Sequence, residues 1–446
     1  MTSHAHAFPD FFRLLRDRLP DRFVRAPRKL TPAQLLGVLC LMTGFGRKGY
    51  RRVVTELRGG LCRAFDWPAL SLVPSPQAIG QARRSLSRAV CDEAFAAVCD
   101  HCPAMAARPV ASYGSYRLLA IDGTRLSLPP APALLAAFGT PANGHGPAAA
   151  PMAGLVQVWD VGRNGPVAFA LTPCDHSERH EAITLFDRIR PSDLLIGDRG
   201  YPGYEFFRAI CRRRARFLIR MPVRAGTLIA DVVAGDQDDT VVALRSLNGQ
   251  GQQRPGTPTI PVRLLRITLP DGKTEVLATN LWRSRGHDRE TLGRLYTQRW
   301  RIETAFREMK VFHALEQFSA TYPDGIYQEI TAIQIFLLLT SELEAIARRE
   351  TAQRQAAATP APMQTAPVTD PTMPLQVTPL RFNRLIVADN VIQLMRHAAL
   401  GGRRAVAQAM PDIIDFLWKN RSYAKPGRSF PRVRKRSRGH FTRAGA

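Results

Sequence analysis

The run Tyr296-Thr297-Gln298-Arg299-Trp300-Arg301-Ile302-Glu303, continued to Lys310, governs how the rest of this 446-residue chain is read. Apolar residues three and four apart predict a long helix over 289–313 and a buried one over 326–348. At about 100° per residue, Arg299 falls at about 300°, Glu303 at about 340° and Lys310 at about 320° from Tyr296, one stripe roughly 60° wide. A tyrosine, two cations and a carboxylate form an odd face to bury. They suit a metal ion beside a phosphate: the carboxylate ligates the cation, Arg299 and Lys310 neutralise phosphate oxygens, and Tyr296 hydrogen-bonds or stacks. The plainer alternative is a surface helix on which Arg299 and Glu303 form an i,i+4 ion pair.

Upstream, 118–121 is an apolar run ending in Asp122, followed by Gly123-Thr124. Two strands, 153–161 and 167–171, flank a turn at Gly162-Arg163-Asn164-Gly165. A helix over 181–189 leads to a strand over 194–197 that ends in Asp198, then to a helix over 204–213 and a strand over 217–221. This order describes a mixed α/β sheet with Asp122 and Asp198 at the C-terminal ends of two strands, where such sheets hold their sites. Between 222 and 280 helical periodicity disappears, and strands at 241–244, 262–268 and 274–278 alternate with turns such as Pro270-Asp271-Gly272. The region 222–285 therefore reads as a β-rich insertion.

Composition points to a polyanionic partner. Lys and Arg total 62 against 37 Asp and Glu, a net charge of +25, and neutralising phosphates with basic side chains releases counterions. Arg outnumbers Lys 55 to 7; guanidinium suits bidentate phosphate contact, and a GC-rich genome gives the same bias. Anionic membranes satisfy the same charge. The apolar run 330–339 is interrupted by Gln334 and is too short for a span, so no membrane partner is expected. Residues 1–7 have no apolar run and 8–30 are strongly charged, so no secretory leader is expected. Seven scattered cysteines fit a reducing compartment, and the expected location is cytoplasmic, at the bacterial nucleoid. Cys99 and Cys102 form a C-x-x-C with no second pair at zinc-ribbon spacing. Cys174 near His176 lacks a third group for thiol catalysis, and His176, His180 and His313 read as structural or DNA-facing.

The termini carry less information. Residues 1–105 read as a helical domain, with helices at 10–19, 32–43 and 75–98, the last opened by Ser75 as N-cap and Pro76 at the first position. Basic groups at 47–52 and at Arg83-Arg84 suit DNA; a solvated basic face is the bland alternative. Residues 351–378, rich in Ala, Thr, Pro and Gln, read as a disordered linker. A helical segment over 381–418 follows within 379–446, and the tail 419–446 holds ten Lys or Arg and no acid, a composition that binds phosphate backbones without sequence preference.

Taken together, the blocks resemble the bacterial insertion-sequence transposases of the DDE superfamily, specifically the IS-four family. Its signature Y-x2-R-x3-E-x6-K is matched at Tyr296, Arg299, Glu303 and Lys310, its strand ending in Asp-Gly-Thr at Asp122-Gly123-Thr124, and its Asp-Arg-Gly-Tyr at Asp198-Arg199-Gly200-Tyr201. Ala278-Thr279-Asn280-Leu281 is similar to the family's exit from its β insertion. The resemblance covers about 75–345. It implies an RNase H-like catalytic domain over 106–350, interrupted by the insertion, with Asp122, Asp198 and Glu303 as the catalytic and metal-binding acids. Tyr296, Arg299 and Lys310 are then the DNA-facing residues.

Singly, Asp122 before Gly123 reads as a turn and Asp198 before Arg199-Gly200 as a cap or ion pair. Jointly they suit Mg²⁺ (or Mn²⁺), a hard cation that prefers oxygen ligands. Two such ions, about 3.5–4 Å apart, serve in-line phosphodiester displacement. The expected activity is cleavage at the terminal inverted repeats of a mobile element and strand transfer into target DNA, by a homodimer on double-stranded DNA. Trp282 is a further candidate, for stacking on a flipped base, with a core role as the plainer reading. Two other readings remain at this point: a DNA-binding repressor or architectural protein without catalysis, and an RNase H-like nuclease that cuts without joining.

Overall fold

A computed structural model describes residues 14–19, 30–44, 50, 53, 74–101, 112–143, 146–147, 150–223, 228–235, 237–268, 272, 274–358 and 380–423. The basic group at 47–52 apart from Tyr50, Cys102, and the tail beyond 423 lie outside the described residues.

The core is a mixed sheet of β1 (Tyr116–Ser127), β2 (Met152–Asp160), β3 (Gly165–Pro173), β4 (Asp193–Gly197), β5 (Arg216–Arg220), β6 (Asp239–Leu244), β7 (Ile260–Thr268) and β8 (Thr274–Thr279). Its strand order is β3-β2-β1-β4-β5-β8-β7-β6. β1, β2 and β3 are antiparallel neighbours, whereas β1, β4 and β5 run parallel. Three antiparallel strands followed by two parallel ones, ordered 3-2-1-4-5, make an RNase H-like core.

Each central strand is apolar on both sides because helices cover both sheet faces. The helices that frame the site are α1 (Pro32–Gly44), α2 (Arg88–His101), α3 (Glu178–Thr184), α4 (Tyr204–Arg212), α5 (Arg289–Tyr296), α6 (Trp300–Val311), α7 (Pro323–Ala358) and α8 (Arg384–Lys419). Leu118, Ala120, Leu194 and Ile196 face one core, shared with Ile330, Ile333 and Leu337 of α7. Leu119, Ile121 and Leu195 face the other, shared with Ala182 of α3 and Phe206 and Ile210 of α4. This alternation follows from the two-residue repeat of a strand.

α1 and α2 pack on α7, and their apolar residues join the same core as the sheet. Arg83 secures the contact: buried, it donates to Gln328 Oε1 (2.9 Å) and to the Gly325 carbonyl (3.0 Å), and it pairs with Glu329 (3.0 Å). At the other end Arg384 ties α8 to α6 and α7 through Glu308 and Glu344, each at 3.1 Å.

The strands of the β-rich region join the central sheet: β8 pairs antiparallel with β5, Ala278 opposite Ile219, so β6–β8 extend it. They thereby pair the edge that β5 would otherwise expose. The same region also contains a helix, Leu228–Ala234. The helix expected over 289–313 is broken by a 3₁₀ turn at Thr297–Arg299, where the Thr297 hydroxyl donates to the Arg294 carbonyl (2.7 Å) and so tightens the turn. The helix expected over 75–98 keeps its cap, Ser75 Oγ accepting from Ala78 N–H, yet breaks near Leu86, where the backbone is extended. α7 continues to Ala358, into the segment read as linker, because Ala and Gln there are good helix formers. That helix is 36 residues long. Its most apolar window reaches a mean hydropathy of 1.6, enough to cross a membrane by length and composition, but 94% of that window is buried inside the protein. Gln334, which interrupts the run, is buried too and accepts from Gln157 Nε2 of β2 (3.0 Å).

Candidate active site

The site is built from the register between β1 and β4. At one end of the pairing Arg117 lies opposite Asp193 and grips it with two hydrogen bonds, 2.7 and 2.6 Å, a bidentate geometry that fixes alignment as well as energy. At the other end Ile121 lies opposite Gly197. β4 stops there, and Asp198 begins a turn in which its Oδ1 accepts from Gly200 N–H (2.7 Å). β1 continues: Asp122 stands inside the strand, opposite Gln157 of β2, and not at its end as the apolar run implied. The parallel pairing ends just before Asp122, so the two aspartates leave it side by side.

Asp122 points to the sheet face covered by α7, since its cross-strand partner Gln157 meets Gln334 there. The 3₁₀ turn between α5 and α6 delivers Arg299 to the same face. Arg299 is 8% exposed; its Nη2 pairs with Glu303 Oε1 at 2.7 Å and its Nη1 with Asp122 Oδ2 at 3.4 Å. One guanidinium therefore spans two of the three expected acids, held mainly by Glu303. The i,i+4 pair considered as the plain alternative is real, and it is part of the site.

Burial raises Asp122 to about 7, against the pull of the Gly123 N–H and Arg299; Asp198 and Glu303 push it further up. That mutual influence places the three carboxylates in one electrostatic neighbourhood. No three His, Cys, Asp or Glu side chains among the described residues are drawn to a single metal-ligating point; Arg299 lies between Asp122 and Glu303 instead. Tyr201, 1% exposed, and the half-buried Tyr296 both have hydroxyls without a hydrogen-bond partner among the described residues. Burial raises both phenols.

The remaining expected residues are engaged inside the protein. Lys310 Nζ donates to the Arg125 carbonyl on β1 (2.6 Å) and pairs with Glu316 (3.6 Å). His313 is buried against Glu308, whereas the exposed His176 bonds Glu181. Trp282 is half-buried at the exit from β8. The described cysteines are all free, and burial pushes the Cys91 and Cys99 thiols up to about 12, far from nucleophilic use.

Two residues at the site escaped the sequence reading. Trp300 is 54% exposed beside the acids, with the Arg299 guanidinium 5.3 Å from its ring centroid. The helical wheel places it at about 40°, just off the stripe, so spacing alone could have flagged it. Glu178, the first residue of α3, lies against Gly123, a contact that no local spacing announces.

The family profile described as "Transposase DDE domain" matches residues 113–339, just over half of the chain. The transposase InsG for insertion sequence element IS4 of Escherichia coli (strain K12) is 27% identical over 194 residues, covering 43% of this chain and 44% of that protein. The protein y4zB of Sinorhizobium fredii is 28% identical over 187 residues, covering 40% of this chain and 49% of its own length. The chain thus spans less than half the length of the curated relatives it matches. Among solved structures, piggyBac transposase in a synaptic complex with hairpin DNA shares 10% identity and a TM-score of 0.45, over 96% of this chain and 87% of that one.

Proposed function

The chain belongs to the transposase DDE domain family, and from that premise we propose that it is a DNA transposase that cuts strands at the ends of a mobile element and joins them to target DNA. Asp122, Asp198 and Glu303 are its catalytic acids. The observation that carries this reading is the pairing of Ile121 with Gly197, which sets the two aspartates side by side, with Glu303 joined to Asp122 through Arg299.

In donor type, with Arg299 standing between Asp122 and Glu303, the residues present suit hard divalent cations such as Mg²⁺ or Mn²⁺. The donors are carboxylate oxygens, Asp122 is held near neutrality by burial among other acids, and Tyr201 adds an unpartnered hydroxyl. When bound, such ions supply positive charge to a phosphodiester undergoing in-line displacement. The chain's own part is to align the acids and to present cations. Arg299 offsets the repulsion between Asp122 and Glu303, and it is the cation best placed to meet a phosphate oxygen. Lys310, tethered to β1, presents a second positive charge on the same edge. The exposed ring of Trp300 offers a surface on which a base can stack. The net charge of +25 suits a partner made of phosphates, and joining two element ends calls for two copies of the chain on one DNA assembly.

The test uses DNA bearing the inverted repeats that flank the gene. With Mg²⁺, wild type is expected to nick at the repeat ends and to join the freed 3′-hydroxyl to a target duplex. Asp122→Asn should keep repeat binding and lose both steps; cutting that survives this change refutes the assignment. Cutting without joining would instead identify a nuclease.

A further inference from the structure

At the edge of the sheet opposite the acids, where β1 and β4 begin and β2 ends, two arginine-bearing turns meet. One is the β2–β3 turn, Gly162-Arg163-Asn164-Gly165; the other is Arg188-Ile189-Arg190-Pro191, which leads from α3 into β4. Each is pinned by a fully buried aspartate. Asp160 Oδ1 accepts from the Arg163 N–H (2.9 Å), and Asp193 Oδ2 accepts from the Arg190 N–H (2.8 Å). Ser341 of α7 also donates to the Asn164 carbonyl (2.6 Å). The backbone beneath both guanidinium groups is thus fixed before any ligand arrives, which lowers the ordering cost of binding.

With Arg117 of β1 and the end of α2, these turns line a cavity of about 150 Å³. Arg117 is taken up by Asp193, and Arg163 faces Asp160 at 3.4 Å. Arg188 pairs with the exposed Asp100 at 3.6 Å, a surface contact of small worth. Arg190 is exposed and makes no ion pair among the described residues. The cavity therefore carries a surplus of positive charge. Arg163 responds to it: burial lowers its guanidinium, Asp160 opposes, and Arg117 and Arg190 lower it further. An anion between Arg163, Arg188 and Arg190 would relieve that repulsion.

We infer that this cavity seats a backbone phosphate of DNA, on a stretch distinct from the one at the acids. The inference rests on the DNA reading above and adds a second place of contact. The lining includes no aromatic ring on which a base could stack, so the contact is to phosphate and carries no sequence information. Arg117 and Asp122 are five residues apart on β1, about 17 Å, or about five nucleotides along one strand. A phosphate in the cavity is therefore a different one from that at Asp122.

Arg188→Gln combined with Arg190→Gln tests this in the full chain. Both side chains are exposed, so the unfolding temperature should not change. The probes are a duplex carrying the flanking inverted repeats and an unrelated duplex of equal length. Affinity for both should fall by about ten- to hundredfold, and the slope of log K against log salt should shrink by about 0.9 per lost phosphate. Arg245→Gln combined with Arg254→Gln removes the same charge at exposed positions outside the cavity and should leave that slope nearly unchanged. Equal losses in the two double variants would mean that overall charge alone acts, and would overturn the inference; so would an unaltered slope in the first. Inorganic phosphate at constant ionic strength separates the sources. If it raises the unfolding temperature of wild type while the DNA slope survives in the variant, the cavity takes free phosphate and the inference fails. Wild type that binds neither duplex would instead sink the DNA reading itself.

Discussion

Ile121 and Gly197 face each other at the last step of parallel pairing between β1 and β4, and the next residue on each chain is an aspartate. A one-residue slip would turn Asp122 to the other face, away from Arg299. Site geometry and sheet register are therefore one property.

Replacing Asp122 with Asn should stabilise the metal-free protein at high pH. The native carboxyl titrates at about 7 instead of about 3.9. The folded state thus pays nothing below the unfolded value, an increasing cost as pH rises from about 4 to about 7, and a constant cost above. Chemical unfolding should find Asp122→Asn more stable than wild type at pH 8, by up to a few kcal/mol, with the gap closing at pH 4. Mg²⁺ should raise the unfolding temperature of wild type at pH 8 and leave the variant unmoved. A variant no more stable than wild type at pH 8 would count against a strained acid.

Arg117→Leu should loosen the site from a distance. It leaves Asp193 buried beside Asp160 with its bidentate partner gone, at a cost of about 3–5 kcal/mol. Amide hydrogen exchange should accelerate along β1 and β4 first. Protection lost uniformly over the sheet would contradict a role in pinning register.

Arg384→Met tests the anchor of α8 on the helix that carries Glu303. Burial alone would raise Glu308 and Glu344, but Arg384 overrides it and holds both below their ordinary range. Their contribution is therefore complete above about pH 4.3, the unfolded value, and is lost as pH falls through the lower folded values. The variant should lose about 3–5 kcal/mol at pH 7 and much less at pH 3, read by urea unfolding. An equal loss at both pH values would show that packing, not charge, holds α8.

Trp300→Ala should weaken binding to DNA with single-stranded ends by about five- to hundredfold, the range of one lost base stack, with unfolding unchanged. Trp300→Phe should restore most of the affinity. Trp282→Ala, at a half-buried position, should cost stability instead; the reverse pattern would return the stacking role to Trp282.

Much of the molecule was legible in sequence because its signals are local. The apolar runs of β2 and β3 with the turn between them, the Ser75 cap, and the order of strands and helices from β1 to β5 depend on near neighbours. The stripe of Tyr296, Arg299, Glu303 and Lys310 was legible for the same reason, although the 3₁₀ turn at Thr297–Arg299 changes how Arg299 reaches the sheet. Locality also explains the errors. The composition beyond Glu350, rich in Ala, Thr, Pro and Gln, reads as linker, while the helix propensity of Ala and Gln carries α7 to Ala358.

The sequence by itself determined which residues carry charge and which segments are strand or helix, because those follow from side-chain chemistry and from periods of two and 3.6 residues. Only the tertiary structure decided that Asp122 lies mid-strand, that Arg299 links it to Glu303, that β8 closes the edge of β5, and that Glu178 rests on Gly123. Each is a contact between residues far apart in the chain. Strand register and helix packing create such contacts, and neither is written in the spacing of a single segment.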